Sequence, residues 1–172
     1  VLSDIVVRES KRHIAARVKE VCGIVNTARN SALKVYNEHL ISSIGMNEMF
    51  RIVESEDDII AKEEKVFDDF LCAIDAEILG TDLIDINSVL SDYFGAKPPF
   101  EESGKKKSEF PDAFIAQQIR NRFGETETVI IVSNDKGFIR ACQESENCLF
   151  FNSLGALYNA ISKEDAAYDD TI

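Results

Sequence analysis

Thr128-Val129-Ile130-Ile131-Val132-Ser133-Asn134-Asp135-Lys136-Gly137-Phe138 is the stretch that decides the fold. Its first half, Thr128 to Ser133, is an unbroken apolar and β-branched run of strand length. That composition suits a strand inside a parallel sheet, covered on both faces. Its second half is turn and helix-start chemistry, in which short polar side chains bond their own backbone and glycine relieves the bend. A strand that closes on such a turn puts Asp135 at the carboxyl edge of the sheet, where open parallel sheets bind ligands. Ser133 and Asn134 add a hydroxyl and an amide beside that carboxylate.

Working outward, Gly137 onward predicts a helix, Cys148 to Phe151 a short strand and Leu154 to Ile161 a last helix. The acidic stretch Asp165 to Ile172 is expected to fray. Upstream, Pro111 fits the first position of a helix bearing Ala113, Phe114, Ile115, Ile119 and Phe123, with Gly124 as its stop. Helix, strand, helix, strand, helix in this order is the pattern of a layered α/β protein. Before it, Gly95 to Gly104 reads as a loop from its Gly and Pro content and leads into Lys105-Lys106-Lys107. A short helix runs from Leu83–Asn87 through Val89, Leu90 and Tyr93.

The first half of the chain is helical in period. Asp4 to Val7 is a strand-like apolar run, followed by Ile14, Val18, Val21, Cys22 and Val25 at three- and four-residue steps, which predict a helix from about Val7 beyond Ala32. Gly45 and Asn47 mark a break. Ile59, Ile60, Val66, Phe67, Phe70, Leu71, Ile74 and Ile78 form the stripe of a second helix. The acids from Glu54 to Asp58 suit the positive end of its dipole, and Gly80 is its expected stop.

A chain of 172 residues with 45% hydrophobic content accommodates one domain with a real core. No window approaches the eighteen or so apolar residues of a membrane span. The chain begins at Val1 without the basic and apolar regions of a signal peptide. Lys and Arg number 19 against 31 Asp and Glu, a net charge of −12. Such a surface gives no long-range capture of phosphates, so any nucleic-acid contact must be local. Cys22, Cys72, Cys142 and Cys148 form no CxxC, and with only His13 and His39 they argue against a zinc set. Scattered single cysteines predict buried thiols in a reducing cytoplasm.

Three acids besides Asp135 could carry chemistry. Asp112 falls in the first turn of its helix, where free backbone N–H groups and the dipole favour negative charge, which also suits a hard cation. Glu109, three residues earlier, fits a cap or a supporting group. Glu9 opens the first helix with Arg12 and His13 on its face. Each has a plain structural alternative: Asp135 as a turn residue, Asp112 as a helix-start acid, Glu9 as a surface ion-pair partner.

Taken together, Lys106-Lys107-Ser108-Glu109-Phe110-Pro111-Asp112-Ala113-Phe114, then Val132-Ser133-Asn134-Asp135-Lys136-Gly137-Phe138, resemble the PIN domain superfamily. More narrowly, they resemble a PIN-like subgroup with a Pro-Pro-Phe loop before a Lys-Lys-x-Glu-Phe-Pro-Asp-Ala motif. Ile5-Val6-Val7-Arg8-Glu9-Ser10-Lys11-Arg12-His13 is similar to the strand and helix bearing that family's second acid. The resemblance extends from about Leu2 to Ile161. It implies a three-layer α/β/α sandwich with a central parallel sheet, over residues 1–162, followed by an acidic tail over 163–172. It also implies a cleft binding Mg²⁺ or Mn²⁺ through Glu9, Asp112 and Asp135, with Ser133 as a catalytic hydroxyl beside them. Lys106 and Lys107 are candidates for substrate phosphate contacts. PIN domains usually begin with a central strand ending in aspartate, which this chain lacks; its natural place is upstream of Val1.

The function so implied is a metal-dependent endoribonuclease acting on RNA, a toxin or defence component of the cytoplasm. Its candidate partners are an inhibitor or antitoxin protein and a second copy of itself, with no membrane role. The alternative is a non-catalytic PIN-like module that binds RNA or protein, favoured by the absent first acid and the net charge. A phosphatase or receiver-type protein using Asp135 as nucleophile is the third reading, and no Asp-x-Asp signature supports it.

Overall fold

The structure is a computed structural model that describes residues 1–36, 38–43, 45, 55–100, 109–124, 126–143 and 147–169; side chains 38, 41–42 and 164–169 lie outside the description. Asn47, Glu54, residues 101–108 with the lysine triplet, and 170–172 therefore fall outside it. Two compact units emerge, Val1–Leu2 with Val6–Glu77 and Ser3–Ile5 with Ile78–Ile172.

The first unit is built of helices. A two-residue strand, β1 (Leu2–Ser3), precedes α1 (Asp4–Val35), followed by α2 (Glu38–Ser43) and α3 (Glu56–Ala73). The strand-like reading of Asp4 to Val7 is corrected, because α1 already begins at Asp4. Ser3 Oγ accepts from Ile5 N at 3.1 Å, and Asp4 sits in the first turn where the dipole favours it. Those two interactions outweigh the β preference of Ile5, Val6 and Val7.

Helix α3 starts as expected from an acid-rich first turn, with Ser55 capping Asp58 N at 3.1 Å. It stops before Gly80. Asp75 adopts φ 50°, Asp75 N donates to Cys72 O and Ala76 N to Leu71 O, which is a Schellman ending with aspartate in the left-handed position. Ile78 leaves the helical stripe for β2 (Ile78–Leu79). Lys11 Nζ and Asp68 Oδ2, 2.7 Å apart, join α1 to α3.

The second unit carries the α/β part. A 3₁₀ turn (Thr81–Leu83) leads to α4 (Ile86–Phe94), capped by Asp85 on Asn87 N at 3.0 Å. Then follow α5 (Phe110–Phe123), β3 (Val129–Val132), α6 (Lys136–Cys142), β4 (Cys148–Phe151) and α7 (Leu154–Asp169). Helix α7 runs on to Asp169, past the expected end at Ile161. Strands β3 and β4 are parallel and in register, Val129 against Cys148 and Val132 against Phe151.

One face of this pair meets the core formed by Ala116, Phe138, Ala141 and Cys142, with Ile131 6% exposed. The opposite face is open: Ile130 is 48% exposed, and Val132 and Leu149 are also exposed. The expectation that β3 is covered on both faces is thus met on one. An α/β chain is what the structure shows, and no sheet among the described residues has more than two strands.

Candidate functional site

Asp135 stands where the sequence places it, immediately beyond the carboxyl end of β3. It caps α6 through Oδ1, which accepts from Gly137 N at 2.7 Å and Phe138 N at 3.0 Å. Ser133 Oγ accepts from Asp135 N at 3.1 Å, and Ser133 N donates to Phe151 O at 2.9 Å, so the turn is tied to the sheet. A Cβ at position 137 would lie 3.2 Å from Asp135 Oδ1, a tight contact that the capping carboxylate would have to relieve by shifting a few tenths of an ångström. Oδ2 accepts no hydrogen bond among the described residues. The turn reading and the site reading of Asp135 coexist on different oxygens.

Asp112 is held by what precedes it. Phe110 stacks on Tyr93 with centroids 5.2 Å apart and meets Phe100 edge-on at 5.0 Å. Phe100 is 1% exposed and belongs with Val89 and Ala113 to a second core cluster. Pro111 then fixes the backbone of the first turn, leaving Asp112 half-buried at the start of α5. Glu109 occupies the cap position, and its side chain makes no capping bond to the helix.

The helices bearing these two acids pack together, Ala116, Ile115 and Ile119 of α5 against Phe138, Ala141 and Cys142 of α6. Cys142 registers the surrounding charge. Burial chiefly pushes its thiol up from 9.0 to about 12; Cys148 and Asp112 push the same way, and Arg120 opposes them. Asp112 is therefore within electrostatic reach of the helix that Asp135 caps.

Glu9 lies in the second turn of α1 rather than at the helix opening, because the helix starts earlier than the sequence suggests. It is half-buried and makes no hydrogen bond or ion pair among the described residues, so the surface pairing with Arg12 or His13 does not form. Glu9 belongs to the first unit, Asp112, Ser133 and Asp135 to the second. Lys106 and Lys107 lie outside the described residues.

As donors, the carboxylates and the hydroxyl have the hard-oxygen chemistry of a Mg²⁺ or Mn²⁺ site. In the second unit two carboxylates stand on packed helices, and among the described residues no group of three His, Cys, Asp or Glu is arranged to hold an ion. The chemistry fits; the cluster is incomplete among these residues. No helix among them is long and apolar enough to cross a membrane.

Gln118 is a structural residue that the sequence reading passed over. It is fully buried, and its Nε2 lies 2.8 Å from Asp4 Oδ1, 3.1 Å from Leu79 O and 3.0 Å from Gly80 O. Two consecutive glutamines between the apolar residues Ala113 to Ala116 and Ile119 were the available signal. Arg120 and Lys97 both approach Asp92, at 3.9 and 3.5 Å.

No curated protein and no solved structure matches this chain. A family profile described as the PIN domain matches residues 1–138, a span that includes Glu9, Asp112, Ser133 and Asp135. With that match over most of its length, joined to a parallel strand pair that closes on a capping aspartate, the chain belongs to the PIN domain family.

Proposed function

We propose that this chain is a metal-dependent ribonuclease domain that hydrolyses RNA phosphodiester bonds, with Glu9, Asp112 and Asp135 holding Mg²⁺ or Mn²⁺ and Ser133 beside them. The observation that carries this reading is the family match across all of these residues, since PIN domains are generally nucleases and typically depend on a divalent metal.

The residues themselves support it. Asp135 Oδ1 is fixed by two backbone N–H groups, so the orientation of the carboxylate is set before any ligand arrives. That preorganisation leaves Oδ2 as an acceptor at the sheet edge. A half-buried carboxylate without a partner among the described residues, as Glu9 is, is costly unless a cation or solvent compensates it. When bound, a divalent ion supplies a water of lowered pKa and polarises a phosphoryl oxygen. Ser133 offers a hydroxyl able to donate to a phosphate oxygen or a bound water, and Lys106 and Lys107 would supply local phosphate contacts that the net charge of −12 withholds.

The same reading extends to the fold and the setting. The parallel pairing of β3 with β4 supports a three-layer α/β/α arrangement, because parallel sheets are ordinarily covered on both sides. Four free cysteines support a reducing, cytoplasmic setting.

A second reading, a non-catalytic PIN module that binds RNA or protein, is favoured by the absence of a three-donor group among the described residues. The test is cleavage of structured and single-stranded RNA with Mn²⁺, wild type beside Asp112→Asn. We expect cutting by the wild type and its loss in the variant. Equal cutting by the two would remove Asp112 from the site. No cutting, with no change in melting temperature on adding Mn²⁺, would establish the binding-module reading, since a bound ion stabilises by mass action.

A further inference from the structure

We infer that Asn152 is a substrate-binding residue, its side-chain amide donating to a phosphate oxygen of the RNA strand held beside Ser133 and Asp135. The inference rests on the nuclease reading of that sheet edge and concerns only the second unit. Asn152 lies past residue 138, so the family match does not reach it.

The strand ladder puts Asn152 at the site. At the start of the parallel pair Val129 stands opposite Cys148, and Val129 N donates to the carbonyl just before it, Asn147 O, at 2.9 Å. The far end repeats this slanted pattern, Ser133 N donating to Phe151 O at 2.9 Å. Ser133 therefore stands opposite Asn152, one position past the paired residues Val132 and Phe151, on strands about 4.8 Å apart. Side chains alternate between the two faces of a sheet. Ile131 and Phe150, paired in the ladder, lie on the face packed against α5 and α6. Two residues on, Ser133 and Asn152 continue that row, on the side covered by α5, whose first turn holds Asp112.

Hydrogen bonding decides which atom Asn152 offers. Ser153 Oγ accepts from Ala156 N at 3.1 Å at the start of α7, so its own hydrogen is directed to Asn152 Oδ1, 3.4 Å away. The amide oxygen is thereby engaged, and Nδ2 donates to nothing among the described residues. A donor suits a phosphate oxygen, which only accepts, and does not suit a cation. Asn152 thus complements the metal-site acids instead of joining them. Asp135, two residues along from Ser133, repels a phosphate that approaches this edge. A donor on the neighbouring strand offsets that repulsion locally, as the net charge of −12 cannot.

The test follows a single-stranded RNA oligonucleotide with the full chain, its binding by fluorescence anisotropy in Ca²⁺ and its cleavage in Mn²⁺. Asn152→Ala should weaken binding about tenfold, the loss expected when a hydrogen bond to a charged group is removed. KM should rise by the same factor while kcat stays unchanged, the mark of a contact made equally in the ground and transition states. The Mn²⁺-dependent rise in melting temperature should persist in this variant, since its acids are intact. Asn152→Asp keeps the shape and exchanges the donor for a negative charge, so it should weaken binding further, and it decides the matter if the alanine variant folds poorly. Equal binding by the wild type and the folded variants overturns the inference. A fall in kcat at unchanged KM also overturns it, as does a wild type that binds no RNA. A wild type that binds RNA without cutting it defeats the nuclease reading alone, and the binding series still decides Asn152.

Discussion

Asp135 Oδ1 closes the N-terminus of α6 on Gly137 N and Phe138 N, while Oδ2 accepts nothing among the described residues. Substitution separates the two oxygens. Asp135→Asn keeps a capping oxygen and should change stability by no more than about 0.5 kcal/mol; Asp135→Ala loses the cap and should cost about 1 kcal/mol. Both should lose the Mn²⁺-dependent rise in melting temperature. Retention of that rise in the Asn variant would show that Asp135 is a cap and nothing more. Cys142 gives a second expectation at this scale. Its thiol is raised to about 12 in the fold, chiefly by burial, against 9.0 when free, so the folded state holds the proton that the unfolded state releases. Its contribution to stability is therefore complete below pH 9 and is lost as pH rises from 9 towards 12. Melting over that interval should fall less steeply in Cys142→Ala, once the pH-independent cost of the smaller side chain is subtracted. A thiol reagent at pH 8 should modify the exposed Cys72 first and leave Cys142 untouched until the chain unfolds.

Besides its two apolar contacts, helix α5 has one side chain that reaches both an earlier strand and the start of α1. Gln118 Nε2 meets Asp4 Oδ1, Leu79 O and Gly80 O, and an apolar replacement of similar length would leave those acceptors without their donor. Gln118→Met should therefore cost about 1–3 kcal/mol, read as a fall in denaturant midpoint with unchanged slope. A neutral result would mean that water replaces the amide. Elements of this kind mark the limit of what the sequence reveals. β4 was legible to the residue, and β3 and α6 to within a residue or so, because an apolar run between turn signals has one local solution. The start of α1 was not, since Ser3 capping Ile5 N is a geometric fact that the β-branched letters Ile5, Val6 and Val7 conceal. The end of α3 was missed for the converse reason: the left-handed turn was made by Asp75, while the expected breaker, Gly80, lies beyond a strand. The helix-start position of Asp112 and the capping position of Asp135 were legible from proline and turn chemistry. The hub at Gln118 depends on contacts across 114 and 39 residues, which no local pattern encodes.

A net charge of −12 shapes how the whole molecule meets a polyanion. An acidic protein that binds RNA cannot draw on a broad basic face, so its affinity must come from a few local cations and, in the proposed site, from the ion its acids hold. Each phosphate neutralised on a single strand contributes about −0.7 to the slope of log K against log salt. If Lys106 and Lys107 are the principal contacts, the slope should be no steeper than about −1.4. Repulsion between the remaining acids and the strand acts in the opposite sense, because salt screens it as well, and flattens the slope further. Binding to a single-stranded RNA, followed by fluorescence anisotropy across a salt series with Mn²⁺ fixed, should thus be shallow. Lys106→Ala with Lys107→Ala should bring the slope near zero while leaving the Mn²⁺-induced rise in melting temperature intact, because the acids and the lysines act on different ligands. A steep slope in the wild type would instead require a basic surface elsewhere, and the candidate would be α1, which carries seven Lys and Arg against three Asp and Glu.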